Sequence, residues 1–272
     1  MQPVTALTIA GSDSGGGAGI QADLRTFSAF GVHGTSAITA VTAQNTRGVT
    51  AVHQIPVDDV EAQIRAVVED FDVRAFKTGM LAQPRTVERV ADLKRAGVLG
   101  PLVVDPVLVS TSGDSLMIDG VVEAYREALL PLCEFTTPNL YEAALLCGVD
   151  VGDIHTPEDM AALGELLVKL GARHVLVKGG HALTSPAAQG RAPDLLVGPQ
   201  GVVVFDAPRV DTNNDHGTGC SLASAIAAGI ALERPLTDAV RDAKSFVLAA
   251  LEGARDWRLG AGHGPIDHLG WG

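Results

Sequence analysis

An α/β fold, with a mostly parallel sheet between layers of helices, is predicted by three observations. Short β-branched or apolar runs alternate with amphipathic helical segments along most of the chain, the pattern of parallel strands joined by helical crossovers. Asp13, Gln44, Met80, Asp105, Asn139, Glu142 and Lys178 all fall at or a turn beyond the ends of apolar runs, where the ligand crevice of an open α/β sheet lies. With 272 residues, 46% of them hydrophobic, and no low-complexity linker, residues 1–272 are expected to form one domain around a large core.

The elements follow in order. Val4 to Ala10 is a strand that stops at a glycine-rich loop, Gly11 to Gly19, and Ile20 to Phe30 is a helix with Ile20, Leu24, Phe27 and Phe30 on one face and Gly31 as its stop. Ser36 to Val41 and Val49 to Ile55 read as strands, and Asp58 and Asp59 open a helix running from Val60 to Phe71. Ala75 to Thr78 is a short strand, Pro84 to Arg95 a helix ended by Gly97, and Leu102 to Val104 a buried strand entering Asp105-Pro106. A helix from Val121 to Leu130 precedes Pro131, and Phe135 to Thr137 leads into Pro138-Asn139. Helices from Leu140 to Leu146 and Pro157 to Leu170 follow, then the strand Val175 to Val177. Leu195 to Val197 and Val202 to Phe205 flank a Gly-Pro-Gln-Gly turn as an antiparallel pair. Helices from Ser221 to Leu232 and Thr237 to Leu251 precede a loop at Gly260 to Pro265.

A formal charge of −12 and a pI near 5.0 argue against nucleic acid or an anionic membrane surface as a partner. Three cysteines, at 133, 147 and 220, lack metal-ligand spacing and suit free thiols in a reducing compartment. The start carries no secretory pattern and no apolar stretch could span a bilayer, so a cytoplasmic location is expected.

Two glycine-rich turns carry the chemistry. Gly217-Thr218-Gly219-Cys220 precedes a run of small residues, so its amides open onto a helix N-terminus, a favourable place for a phosphoryl group. Cys220 sits on the first turn, where the helix is expected to lower a thiol pKa. In the N-terminal turn, Gly17-x-Gly19-x-x-Ala22 meets a loose dinucleotide fingerprint, which would suggest a nicotinamide dehydrogenase. That fingerprint needs a carboxylate about twenty residues on, and after Asp23 the next one is Asp58. The loop therefore reads as closing over a small substrate.

These motifs also resemble a known family. Gly11 to Leu24, Thr42 to Thr46, Lys77 to Met80, Val104 to Val107, Thr137 to Asn139, Val177 to His181 and His216 to Cys220 closely resemble, in order, hydroxymethylpyrimidine/phosphomethylpyrimidine kinases of the ribokinase-like superfamily. The likeness spans about residues 5 to 250 and implies a ribokinase-like three-layer α/β/α sandwich. It further implies ATP-dependent phosphorylation of 4-amino-5-hydroxymethyl-2-methylpyrimidine and of its monophosphate, in thiamine biosynthesis, by a stand-alone homodimeric kinase.

By the same resemblance the amides of Gly217, Thr218 and Gly219 form an anion hole, and Lys178 lies near the ATP phosphates. Asp105, Asn139 and Glu142 organise Mg²⁺, Asp105 and Glu142 through water; Asn139 with Glu142 also reads as a helix cap and its partner. Gly11, Asp23, Gln44, Met80 and Val107 are assigned to the substrate: Gln44 by an amide that donates and accepts, Asp23 as an acceptor, Met80 and Val107 as packing for the ring. Cys220 stands where related sugar kinases carry a basic aspartate, so it is expected to orient the hydroxyl or accept its proton late. Asn213-Asn214-Asp215-His216 replaces a more usual Lys-Asn-Thr-His, and Asn213 and Asp215 are expected to face solvent. His33, His53 and His181 are read as structural. Two alternatives stay open: a pyridoxal kinase, since a similar hydroxymethyl ring is its substrate, and a non-catalytic sensor of a vitamin precursor.

Overall fold

Residues 2–108, 118–180 and 190–272 are described by the structure, a computed structural model. His181 and residues 109–117 lie outside the described residues.

Alternation of side chains along the strands builds the core. In β1 (Thr5–Asp13), Ala6 points to one side of the sheet while Leu7 and Ile9 point to the other. Leu102 and Val104 against Val103 in β5 (Leu102–Val104), and Val175 and Val177 against Leu176 in β7 (Val175–Lys178), divide in the same way. Both faces are apolar, so both carry helices. On one side pack α2 (Val57–Val68), α3 (Pro84–Arg95), α4 (Val121–Ala124), α5 (Leu140–Cys147) and α6 (Pro157–Lys169). On the other pack α1 (Gly19–Ala29), α7 (Thr218–Ala231) and α8 (Leu236–Gly253). The three layers agree with the expected sandwich.

The remaining strands are β2 (His33–Asn45), β3 (Gly48–Gln54), β4 (Val73–Thr78), β6 (Phe135–Thr136), β8 (Asp194–Gly198) and β9 (Gly201–Phe205), and the nine run in the order β3-β2-β1-β4-β5-β6-β7-β8-β9. The six from β2 to β7 in that order pair in parallel, whereas β3, β8 and β9 join antiparallel at the two edges. Parallel pairing brings the carboxyl ends of six strands to one edge, and with them the polar residues that follow those strands.

Three elements differ from expectation. The first strand runs on through Gly11 and Ser12 to Asp13, with a register shift between Ala10 and Ser12 that re-aims the side chains beyond it. The second continues to Asn45 because β3 pairs with its far half, Ala40 to Asn45, beyond most of the length of β1. The helix from Val121 changes pitch: Leu130 N–H bonds back to Tyr125 O, residues Tyr125–Leu129 form a wider turn, and Leu130–Leu132 a tighter one. Pro131, which has no N–H to donate, lies at that transition. Among the described residues no helix is long and apolar enough to cross a membrane.

Candidate active site

The two glycine turns meet. Gly217 caps α7 with φ +89°, and a Cβ on it would collide with the carbonyl oxygen of Gly17; only glycine combines that backbone with that approach. Between and beside the turns opens a cavity of about 860 Å³. Gly11, Gln44, Met80, Val107, Asp105, Asn139, Glu142, Lys178, Gly217, Thr218, Gly219 and Cys220 all line it.

Asp23 does not. It is fully buried beneath the turns, where its carboxylate takes two bonds from Lys77 Nζ at 2.8 and 2.9 Å, one from Thr8 Oγ1 at 2.6 Å and one from Ser224 Oγ at 2.7 Å. Four hydrogen bonds from three protein donors occupy it, so the expectation that it binds substrate is corrected to a structural one. Lys77 is equally buried. Burial opposes its charge, and Asp23 more than offsets that, holding the ammonium above its ordinary value. A lysine within the apolar run of β4 was the available signal, because a buried lysine demands a paired acid.

The N-terminal turn already holds its anion. Gly15 N–H donates to Asp13 Oδ1 at 2.7 Å, and the amides of Gly17 and Ala18 donate to Oδ2 at 3.0 and 2.9 Å. Burial alone would raise the Asp13 pKa, but the bond to His216 and these amides outweigh it and hold the carboxyl below its usual range. A loop filled from within is no dinucleotide cradle.

The C-terminal turn is built otherwise. Lys178, at the end of β7, brings its ammonium 3.2 Å from the point a Gly219 Cβ would occupy, so the cation sits against the turn. Thr218 N–H, expected to face a ligand, is bonded at 3.3 Å to Asp215 O, which weakens its share in an anion hole. Lys178 Nζ also donates to Asp105 Oδ1 at 3.1 Å, and Thr137 Oγ1 donates to the same oxygen at 3.0 Å. Burial works against the charge on Lys178, and Asp105 and Glu142 together overcome it, so it stays a cation.

Asn139 and Glu142 form the capping box that the sequence suggests: Glu142 N–H donates to Asn139 Oδ1 at 2.9 Å and Asn139 N–H to Glu142 Oε2 at 2.8 Å. Burial, aided by the charge of Asp105 and opposed by Lys178, pushes the Glu142 carboxyl up to about 7. Among the described residues no three His, Cys, Asp or Glu side chains gather closely enough to enclose a metal.

Cys220 reverses an expectation. Burial pushes its thiol up to about 11, with Asp23 and Asp105 adding to the rise, while Lys77 and the Gly19 amide pull it down. Desolvation thus outweighs the neighbouring cation and amide, and the group is a neutral thiol at pH 7. Alkylation of Cys220 by iodoacetamide, followed by mass spectrometry, is expected to rise about tenfold per pH unit from 7.5 to 9.5 without levelling off. A plateau below pH 9 would show a thiolate stabilised by the turn.

Asn213 is exposed as expected, but Asp215 is half-buried, lines the cavity and pairs with His263 Nδ1 at 2.7 Å. The tail from residue 260 folds back on the second turn: His216 N–H donates to Gly264 O, and His268 Nε2 lies 2.8 Å from Ser221 Oγ on the first turn of α7. Composition alone marked this tail only as a loop.

A mostly parallel sheet between two helix layers, with a cation and a glycine turn closing one end of a cavity at its carboxyl edge, defines a ribokinase-like small-molecule kinase. The family model described as Phosphomethylpyrimidine kinase matches residues 13–267. A hydroxymethylpyrimidine/phosphomethylpyrimidine kinase of Rhizobium meliloti is 51% identical over 266 residues, 97% of this chain and 96% of that one. The chain belongs to the phosphomethylpyrimidine kinase family. Among solved structures, a phosphomethylpyrimidine kinase from Clostridium difficile is 41% identical with a TM-score of 0.79, covering 91% of this chain and 99% of its own. A pyridoxal kinase from Staphylococcus aureus in complex with AMP-PCP and pyridoxal is 32% identical with a TM-score of 0.87, covering 100% and 95%.

Proposed function

We propose that the chain transfers the γ-phosphoryl group of ATP to 4-amino-5-hydroxymethyl-2-methylpyrimidine and then to its monophosphate. The observation that carries this reading is the contact of the two glycine turns across one cavity, with Lys178 against the second. An alcohol lodged by the first turn then faces a terminal phosphate at the second. Phosphoryl transfer needs alignment and compensation of charge more than covalent work. Lys178 and the amides of Gly217 and Gly219 compensate charge on the transferred group, and Gly11, Gln44, Met80 and Val107 hold the ring.

Two buried carboxylates beside a single lysine suit a divalent cation, because burial and the nearby charge of Asp105, which together push Glu142 up to about 7, both penalise negative charge that a cation would compensate. Asp105 and Glu142, steadied by Asn139, would hold Mg²⁺ through water, as magnesium commonly uses one or two carboxylates and substrate phosphates. When bound, the ion supplies charge neutralisation at the phosphates. A neutral Cys220 orients the hydroxyl instead of taking its proton early. Cys220→Ala is therefore expected to keep kcat within about tenfold, less than the loss of a general base brings; a larger fall returns the thiol to the proton transfer. One kinase domain, a homodimer and a cytoplasmic location complete the reading.

The S. aureus neighbour favours a test against pyridoxal. Steady-state assays with each alcohol and ATP are expected to give the larger kcat/KM for the pyrimidine. A larger value for pyridoxal overturns the substrate assignment.

A further inference from the structure

Gln44 belongs to a line of polar side chains running between the glycine turns. At one end, Asp13 accepts from three backbone amides, so its carboxylate is an acceptor only. His216 Nε2, 2.9 Å from Asp13 Oδ2, therefore carries a proton, in the neutral tautomer as in the imidazolium. At the other end, Thr42 Oγ1 has one proton and lies 3.0 Å from the carbonyl oxygen of Ser12, a group that can only accept. Between them, Gln44 Oε1 lies 3.0 Å from Thr42 Oγ1 and Gln44 Nε2 3.3 Å from His216 Nε2. In that sense two N–H groups oppose each other at His216, and two acceptors compete for one proton at Thr42. Turning the amide over keeps its shape, removes the opposed N–H groups and frees the Thr42 proton for Ser12 O: Nε2 donates to Thr42 Oγ1, and Oε1 shares the His216 Nε2 proton with Asp13 Oδ2, the nearer acceptor.

We propose that the Gln44 amide is held in this turned sense, with His216 and Thr42 as positioning residues that fix the direction in which the cavity reads a ring edge. The inference rests on the pyrimidine kinase reading for its ligand, though not for the amide itself. One amide proton and one oxygen lone pair remain for the ligand. An aminopyrimidine edge sets an amino donor beside a ring-nitrogen acceptor, and it complements a fixed amide in one direction only. Replacing the amino group by an oxo group exchanges donor and acceptor along that edge. A freely turning amide would follow the exchange; one locked by Asp13, His216 and Thr42 meets it with unpaired groups.

The test has two arms. In the ligand-free protein, NMR with labelled glutamine, assigned with Gln44→Leu, is expected to show Gln44 amide protons with a stronger NOE to the Thr42 methyl than to His216 Hε1. An equal or reversed order overturns the proposal, whatever the enzyme phosphorylates. In kinetics, wild type is expected to favour the amino over the 4-oxo alcohol by about 100-fold in kcat/KM, the effect of two mispaired polar groups. Thr42→Val is expected to reduce that preference about tenfold, and Thr42→Ser to restore it. An unchanged preference in a folded Thr42→Val removes the positioning role. Absence of turnover with either alcohol, alongside the expected NOE pattern, sinks the substrate reading and leaves the amide orientation standing.

Discussion

Lys178→Met is expected to lower kcat/KM by about 10³-fold, or ~4 kcal/mol of transition-state stabilisation. The reason is positional. The ammonium stands between Asp105 and the turn at Gly219, so its removal takes away the charge nearest the proposed phosphate and leaves Asp105 and Glu142 facing each other unrelieved. A second consequence follows with a fixed sign. Glu142 is held near 7 against Lys178, which lowers it; without that cation its pKa climbs further. A group whose folded pKa lies above its unfolded value binds its proton more tightly when folded, so stability is full below the unfolded value and falls as pH rises through the folded one. The variant is therefore expected to lose more stability than wild type between pH 6 and 8, measured by urea denaturation across that window. Equal pH slopes would show that Lys178 is not coupled to Glu142.

Lys77→Met is expected to destabilise the fold by about 3–5 kcal/mol, the range for removing one partner of a buried ion pair. Asp23 would keep two hydroxyl donors, Thr8 and Ser224, but no cation in a site without solvent. Combining Lys77→Met with Asp23→Leu is expected to recover part of the loss, since an apolar pair of similar volume tolerates burial where a lone carboxylate does not. Recovery stays partial because Thr8 and Ser224 then lose their acceptor. Denaturation curves of the four proteins in the cycle measure this. If Asp23→Asn instead raises KM for the alcohol and leaves stability unchanged, Asp23 reaches substrate after all and its assignment to the core is wrong.

The contrast between Asp23 and Asp105 explains how far the sequence could be read. Asp105 follows a short apolar strand, and parallel pairing of β4, β5 and β6 places such a residue at the ligand edge whatever its distant partners are. Asp23 lies inside a helix, where spacing gives it a face but not what covers that face. Its partner is 54 residues away, and only packing of α1 and α7 over β1 and β4 brings Thr8, Lys77 and Ser224 around it. Cys220 was placed correctly on the first turn of α7 by its glycines. Its protonation was not, because a helix terminus is a local property whereas desolvation is imposed by the whole surrounding structure. His216, 203 residues from Asp13, showed no spacing with it at all.

The sequence by itself determined the alternation of strands and helices, the two glycine turns and the cap at Asn139, since each depends on periodicity or backbone freedom within a few residues. Tertiary structure alone decided which acids face the cavity, which cations neutralise them and which groups stay protonated. Those outcomes depend on Coulomb energy and on exclusion of water, and both are set by neighbours that the chain brings together only after it has folded.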